Sequence, residues 1–238
     1  MRVICSVCAQ EIPLGTLGRC SNCNGILRPD YPDDAVARLA KIGPGRGIDR
    51  LRRVLPVNKP ILNLGEGDTP LLASQRLGKD LGLSHLYFKH EGLNPSGAFK
   101  DRAGAMVVAL AREAGAKGVL TASSGNASSA ISAYCAAAGL KCAILLEPGN
   151  PAAKIRQTLA MGARVLPVAG IFAHGPQTLA DLLFAIAAQT DYYVGFVWAP
   201  VNPYILEGIK TISYEIAIQL SRMPDVVISP VGGGAIRN

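Results

Sequence analysis

Lys100 directly follows a run of turn-forming and small residues, Asn94-Pro95-Ser96-Gly97-Ala98-Phe99, and opens an Ala-rich stretch of helical character. A lysine in the first turn of a helix is unexpected, because the aligned peptide dipoles there favour anions. For one lysine alone, a solvated surface side chain is the ordinary explanation. An amine held in that positive field and partly withdrawn from water loses basicity and can act as nucleophile or base. Two further turns bear on the same chemistry. Ala122-Ser123-Ser124-Gly125-Asn126-Ala127 lies between an apolar run and a second Ala-rich segment. It reads either as a plain helix cap or as a cradle of free amides for a carboxylate or phosphate, with Asn126 adding a side-chain donor. Pro230-Val231-Gly232-Gly233-Gly234 follows the apolar run 226–229, and its glycines allow close backbone approach to an anion. Together the three turns describe one lysine and two anion cradles, which suits a cofactor with a phosphate tail that binds an amine and stores electrons.

A second constellation stands at the start of the chain. Cys5 and Cys8 are spaced CxxC, and so are Cys20 and Cys23. Two such knuckles on a short hairpin can place four thiolates around one tetrahedral zinc ion. Two disulfides are the competing reading, disfavoured in a reducing compartment. A redox CxxC needs a single pair opening a helix after a strand, and neither pair sits there. Cys135 and Cys142 fall in an Ala-rich helix and an apolar strand, where core packing is expected.

The elements that must position these turns follow from periodicity. After the cysteine segment, residues 28–45 are rich in Pro and Gly and read as linker with one short helix. Strands are expected at 86–89, 118–121, 142–146, 164–168, 193–197 and 226–229. Helices are expected at 99–114, 127–138, 152–161, 178–188 and 205–220. Strands that are short continuous apolar runs alternating with helices imply a mostly parallel sheet covered on both faces, an α/β fold. Ligands then belong at the carboxyl ends of the strands, where all three turns fall.

Composition agrees. Hydrophobic residues make up 49% of the 238 residues and charged residues 17%, enough for a sizeable core and too apolar for disorder. The net charge of +7 is spread along the chain, and its densest stretch, Arg46, Arg50, Arg52 and Arg53, reads as a solvated helix face. Nucleic acid as a partner would need basic and aromatic residues interleaved on the cysteine segment, where Arg19 is the single cation between Cys5 and Cys23. No apolar run approaches the roughly 20 residues of a membrane span. Met1-Arg2-Val3-Ile4 runs straight into the first knuckle without the pattern of a leader peptide. A cytoplasmic protein with no nucleic-acid or membrane partner is the expectation.

Several stretches resemble the threonine synthases, within the wider tryptophan-synthase-β-like, fold type II pyridoxal-phosphate enzymes. They are Gly65-Glu66-Gly67-Asp68-Thr69-Pro70-Leu71, the lysine stretch Asn94 to Arg102, Ser124-Gly125-Asn126, and Glu207-Gly208-Ile209-Lys210-Thr211 followed by Tyr214-Glu215-Ile216. An N-terminal CxxC pair of knuckles is also common in that family. The resemblance implies two parallel-sheet three-layer domains preceded by a small zinc ribbon. The ribbon would be 1–28, the linker and first part of the large domain 29–98, the small domain 99–174, and the continuation of the large domain 175–238. It implies that Lys100 carries pyridoxal 5'-phosphate covalently and shuttles protons, with Phe99 beside it. Asn126 would bond the ring hydroxyl, and Gly232, Gly233 and Gly234 the cofactor phosphate. Ser123, Ser124, Gly125 and Asn202 would hold an amino-acid substrate, and Cys5, Cys8, Cys20 and Cys23 the zinc. The implied reaction takes O-phospho-L-homoserine to L-threonine and phosphate by elimination and water addition, in a homodimer when full length.

Three departures from the family pattern matter. Ala98 stands where the family usually has Ser. Ile205 stands where an arginine clamps the substrate phosphate, and Ile209 where a glutamine stands. Losing a charge-assisted bidentate contact should cost about 2–4 kcal/mol of phosphate recognition. A serine or threonine dehydratase needs no such clamp. The family also continues well past Gly234, so an incomplete large domain, weak cofactor binding and self-association are expected, or an inactive truncated paralogue.

Overall fold

A computed structural model describes residues 2–32, 34, 42, 47–149 and 152–230. The first unit is a three-stranded antiparallel sheet of β1 (Arg2–Cys5), β2 (Glu11–Ile12) and β3 (Leu27–Asp30), in the order β2-β1-β3. Val3, Cys5, Ile12 and Leu27 alternate inward and are continuous with the main core, while Arg2, Glu11 and Arg28 face water. Most of the expected short helix of the linker lies outside the described residues, and a 3-10 helix spans Ile48–Val54.

The central sheet is parallel, as expected. Its strands are β6 (Gly118–Ala122), β7 (Lys141–Leu146), β8 (Arg164–Pro167) and β9 (Tyr192–Val194), in the order β8-β7-β6-β9. β6 is buried along its whole length because helices cover both faces. Val119, Cys142 and Ile144 pack in one core with α2 (Lys100–Glu113), α3 (Asn126–Ala138) and α6 (Ile205–Leu220). Leu120, Ala122 and Leu145 pack in another with α5 (Gly175–Thr190), while α4 (Ala152–Ala160) links β7 to β8. The sheet thus takes in residues on both sides of the domain boundary expected at 174. Among the described residues no helix is long and apolar enough to cross a membrane.

Two strand expectations need correction. The strand at 86–89 exists as β5 (Tyr87–Lys89), but it pairs antiparallel with β4 (Leu71–Ala73) in a separate two-stranded sheet. The short helix α1 (Arg76–Asp80) turns the chain back alongside β4 instead of carrying it across a sheet face. The segment 226–229 forms no strand among the described residues. Val226 and Ile228 are 75% and 91% exposed, with no neighbouring strand to satisfy their backbone.

Close helix packing explains the chain's many small residues. A Cβ on Gly208 of α6 would collide with Met106 Cγ and with the Arg102 carbonyl oxygen, so α6 touches the backbone of α2 there. Gly208→Ala should therefore destabilise the protein by about 1–3 kcal/mol in urea unfolding, although Ala is the better helix former by about 1 kcal/mol. A stabilised Gly208→Ala protein would contradict this packing.

Candidate active site and thiol cluster

Lys100 is the first residue of α2, and the turn before it is built to deliver it there. Gly97 N donates to the Asn94 carbonyl at 2.8 Å, and Gly97 has φ +84°, a conformation that glycine adopts without strain. Asp101 Oδ2 receives Ser96 N at 2.9 Å and Ser96 Oγ at 2.8 Å, tying the turn to the first turn of the helix. Lys100 is half-buried, and burial lowers the basicity of its amine. Its Nζ lies 4.8 Å from the centroid of the Phe99 ring and meets no carboxylate or hydrogen-bond acceptor among the described residues. An amine so placed is free to form a covalent bond with a carbonyl group, which fits an aldehyde cofactor.

Two residues further along α2, Arg102 is fully buried and fills both edges of its guanidinium with carboxylates. Nε and Nη2 donate to Glu91 Oε2 and Oε1, both at 2.8 Å. Nη1 and Nη2 donate to Glu215 Oε1 and Oε2, both at 2.7 Å, and Nη1 also reaches Thr211 Oγ1 at 2.8 Å. Lys89 Nζ adds a bond of 2.7 Å to Glu215 Oε2, and Asp68 N donates to Glu215 Oε1 at 2.9 Å. Asn94 closes the circuit, accepting Gly67 N at 3.0 Å and donating to Glu91 Oε2 at 2.9 Å. A Cβ on Gly67 would press on Glu215 Oε1, so only glycine passes this point. The network joins the 65–71 loop, β5, the lysine turn, α2 and α6. Burial alone would raise the Glu215 carboxyl, but the bonds and charge of Arg102, then Lys89, bring it down to about 2.

The second expected loop, 122–127, joins β6 to α3. The short turn after Glu113 feeds the start of β6, so α2 runs back along the sheet and begins at the carboxyl end of β6, where α3 also begins. The two helices touch where a Cβ on Gly104 would meet Tyr134 and the Ala130 backbone. Gly104 and Ala130 are each the fifth residue of their helix, so the close contact lies about one turn in from both helix starts. Asn126 is exposed, Ser123, Ser124 and Gly125 are half-buried, and a Cβ on Gly125 would point into open space. The first-turn amides of α3 have no intrahelical acceptor.

Asn202 is placed differently. It is fully buried, its Nδ2 donates to Tyr193 Oη at 2.9 Å and to the Val194 carbonyl at 3.0 Å, and its Oδ1 accepts Tyr204 N at 3.3 Å. Gly232, Gly233 and Gly234 lie outside the described residues. Sequence reasoning passed over Arg102, Glu91, Glu215 and Lys89 as structural agents. The available signal was Arg102, directly before the uncharged small-residue run 103–111, and Glu215, a carboxylate in the middle of the apolar helix 205–220.

At the other site, the Sγ atoms of Cys5, Cys8, Cys20 and Cys23 all lie within 4.8 Å of one another and form no disulfide. Cys5 and Cys23 are 3.4 Å apart, and Cys8 and Cys20 3.8 Å. A tetrahedron of thiolates each about 2.3 Å from zinc has edges of about 3.8 Å. The two knuckles match one another: Ala9 N donates to the Cys5 carbonyl at 3.0 Å and Asn24 N to the Cys20 carbonyl at 2.9 Å. Ala9 and Asn24 both take positive φ, 57° and 59°. The donor set fits one tetrahedral metal ion.

Arg102→Met should destabilise the protein by about 3–5 kcal/mol in denaturant titration, because it strands two buried carboxylates. Glu215 has its carboxyl held at about 2, well below the ordinary 4.5, so its contribution is complete above about pH 4.5 and lost as pH falls towards 2. Melting temperature should decline over that window, and Glu215→Gln should lower it at neutral pH while flattening the decline. A Glu215→Gln protein with the unchanged pH profile would refute the assignment.

The chain is similar to known proteins along most of its length. Residues 62–236 match the family model described as pyridoxal-phosphate dependent enzyme. The chain is 40% identical over 188 residues to a threonine synthase of Halalkalibacterium halodurans, covering 78% of this chain and 51% of that protein. It is 38% identical over 219 residues to the threonine synthase of Methanosarcina acetivorans, covering 90% and 52%. The threonine synthase of Methanocaldococcus jannaschii is 37% identical over 236 residues, covering 96% and 56%. The chain thus spans about half the length of the curated relatives it matches. Among solved structures, maize serine racemase superposes with a TM-score of 0.60 at 26% identity, covering 71% of this chain and 49% of that one. The serine racemase of Dictyostelium discoideum superposes with a TM-score of 0.58 at 27% identity, covering 71% and 53%. With a desolvated lysine at the start of α2 and these relatives along most of its length, the chain belongs to the pyridoxal-phosphate dependent enzymes.

Proposed function

We propose that this chain carries the lysine half of a pyridoxal-phosphate lyase of the threonine synthase kind, taking O-phospho-L-homoserine to L-threonine and phosphate. The observation that carries the reading is Lys100, an amine without a counter-ion, held by the Arg102 network at the carboxyl end of β6. When bound, the cofactor supplies an electron sink for the pair left at the substrate α-carbon. Lys100 binds it and, kept less basic by burial, takes and returns the proton at that carbon. Phe99 excludes water from the amine. Ser123, Ser124, Gly125 and the free amides at the start of α3 receive the substrate carboxylate, and Asn126 the ring hydroxyl. Gly232, Gly233 and Gly234 take the cofactor phosphate. Asn202 acts through the loop that it braces. The four thiolates of Cys5, Cys8, Cys20 and Cys23 hold a structural zinc ion.

One observation favours a second reading, a dehydratase acting on serine or threonine. Ile205 and Ile209 are buried in the core at the start of α6, at 0% and 2% exposure. Lys210 is bound to Glu207 at 2.6 Å and lies 4.8 Å from the Tyr31 ring centroid, while the Tyr31 hydroxyl also donates to Glu207. The first turns of α6 therefore offer no unengaged cation to a second phosphate among the described residues.

Borohydride reduction of the protein loaded with pyridoxal phosphate should fix a pyridoxyl group on Lys100, detected by peptide mass mapping. Lys100→Ala should abolish both the label and absorbance near 410–420 nm. Release of threonine and phosphate from O-phospho-L-homoserine supports the first reading, and 2-oxobutyrate or pyruvate from threonine or serine the second. A label on another lysine would sink both.

A further inference from the structure

The cysteine ribbon shares the main core through Val3, Cys5, Ile12 and Leu27, and its hydrogen bonds to the loop that leads into α6 come from a single segment. Gly15 N donates to Tyr204 Oη at 3.0 Å, and Gly18 N to the Val201 carbonyl at 2.8 Å. Leu17, between them, packs against both hydrophobic cores. The Arg19 guanidinium lies 6.0 Å from the ring centroid of Trp198, at the far end of the same loop. All these groups fall between Ile12, where β2 ends, and Cys20, where the second knuckle begins. That segment has little regular structure of its own. Gly15 and Gly18 hold positive φ, 94° and 87°, and the first knuckle lies on one side of the segment and the second on the other. Its shape is therefore fixed by what joins the two knuckles.

The receiving loop, 198–204, is a positioning element. It runs from beyond the carboxyl end of β9 to the first turn of α6, and Asn202 ties it to Tyr193 and Val194. Tyr204 is fully buried, and Gly15 N is the partner of its hydroxyl among the described residues. Removing the ribbon's grip leaves that hydroxyl and the Val201 carbonyl to find other partners.

We propose that the ribbon, with a metal ion on its four thiolates, clamps the 198–204 loop and so sets the position of Asn202 and the start of α6. Gly15, Gly18 and Tyr204 are then positioning groups for the active-site end of the sheet. The inference rests on the zinc reading of the cluster and is independent of which substrate is turned over. Loss of the ion lets the knuckles part, because a four-thiolate site and the fold around it form together. The segment between them then slackens, and the loop loses both its bonds to the ribbon.

Trp198 is the only tryptophan in the chain, so its emission reports the contact directly. The protein is first analysed for bound zinc, then treated with a chelator and followed by Trp198 fluorescence and hydrogen exchange of peptides covering 196–209. Zinc removal should shift the emission to the red and speed exchange across 199–206 by roughly tenfold, the scale of one or two lost hydrogen bonds. Peptides from β6 and β7 should be unchanged, and added zinc should restore both signals. Tyr204→Phe should keep its zinc yet show faster loop exchange in its presence, and Arg19→Ala should shift the emission alone. Zinc that leaves without a response at 198–204, or with equal loosening of β6 and β7, overturns the clamp and spares the metal site. A protein that neither holds nor takes up zinc overturns both.

Discussion

The buried guanidinium of Arg102 is the interaction on which the rest of this structure depends. One planar cation, wholly removed from water, meets two carboxylates edge-on, Glu91 and Glu215, which come from segments 124 residues apart in the chain. Such a group is expensive to bury and is retained only where every donor finds an acceptor. Here the count closes: Nε, Nη1 and Nη2 all donate, and Lys89 neutralises the second carboxylate. Two cations face two anions in one dry cluster. What the network provides is location. It fixes α2 against α6 and against the 65–71 loop two residues away from Lys100, so the reactive amine inherits a rigid address.

Much of this could be read from residues alone, and the reasons for the exceptions are physical. The helix 205–220 and the parallel run of β6, β7 and β8 were legible because buried parallel strands are short continuous apolar stretches between helices of clear period. Tyr87–Lys89 also reads as a strand, but its pairing with Leu71–Ala73 depends on a partner whose three residues carry almost no pattern. Val226, Val227 and Ile228 have strong strand propensity and no strand. Propensity describes fit to a pleated neighbour, and none lies beside them among the described residues. The thiol cluster followed from spacing. The Lys100 turn was visible as an oddity of charge at a helix start, whereas the Arg102 network was not, because its members are scattered through five motifs and only folding brings them together.

Small residues do a second kind of positioning. Gly104 lets α2 lie against the backbone of α3, and Gly208 lets α6 lie against the backbone of α2. With side chains at those points, α2 would be held away from both α3 and α6. The composition, poor in aromatics and rich in Ala and Gly, is thus a requirement of the helix spacing around the site.

The ion-pair network also bears on Lys100, whose amine burial makes less basic in a site rich in carboxylates. Glu91 and Glu215 are consumed by Arg102 and Lys89, and Asp68 is paired with Arg50 at 2.6 Å. Asp101, the nearest in sequence, turns its Oδ2 back to Ser96, and burial raises its carboxyl against those bonds. Asp101 Oδ1 is buried without a partner, and among the described residues no carboxylate pairs with the Lys100 amine. A neighbouring carboxylate would favour the charged form and suppress nucleophilicity, so an amine meant to react must be deprived of one. In this fold the deprivation comes from the structural ion pairs themselves. The groups that fix Lys100 in place are the groups that take its counter-ions away, and rigidity and reactivity at this position share one cause.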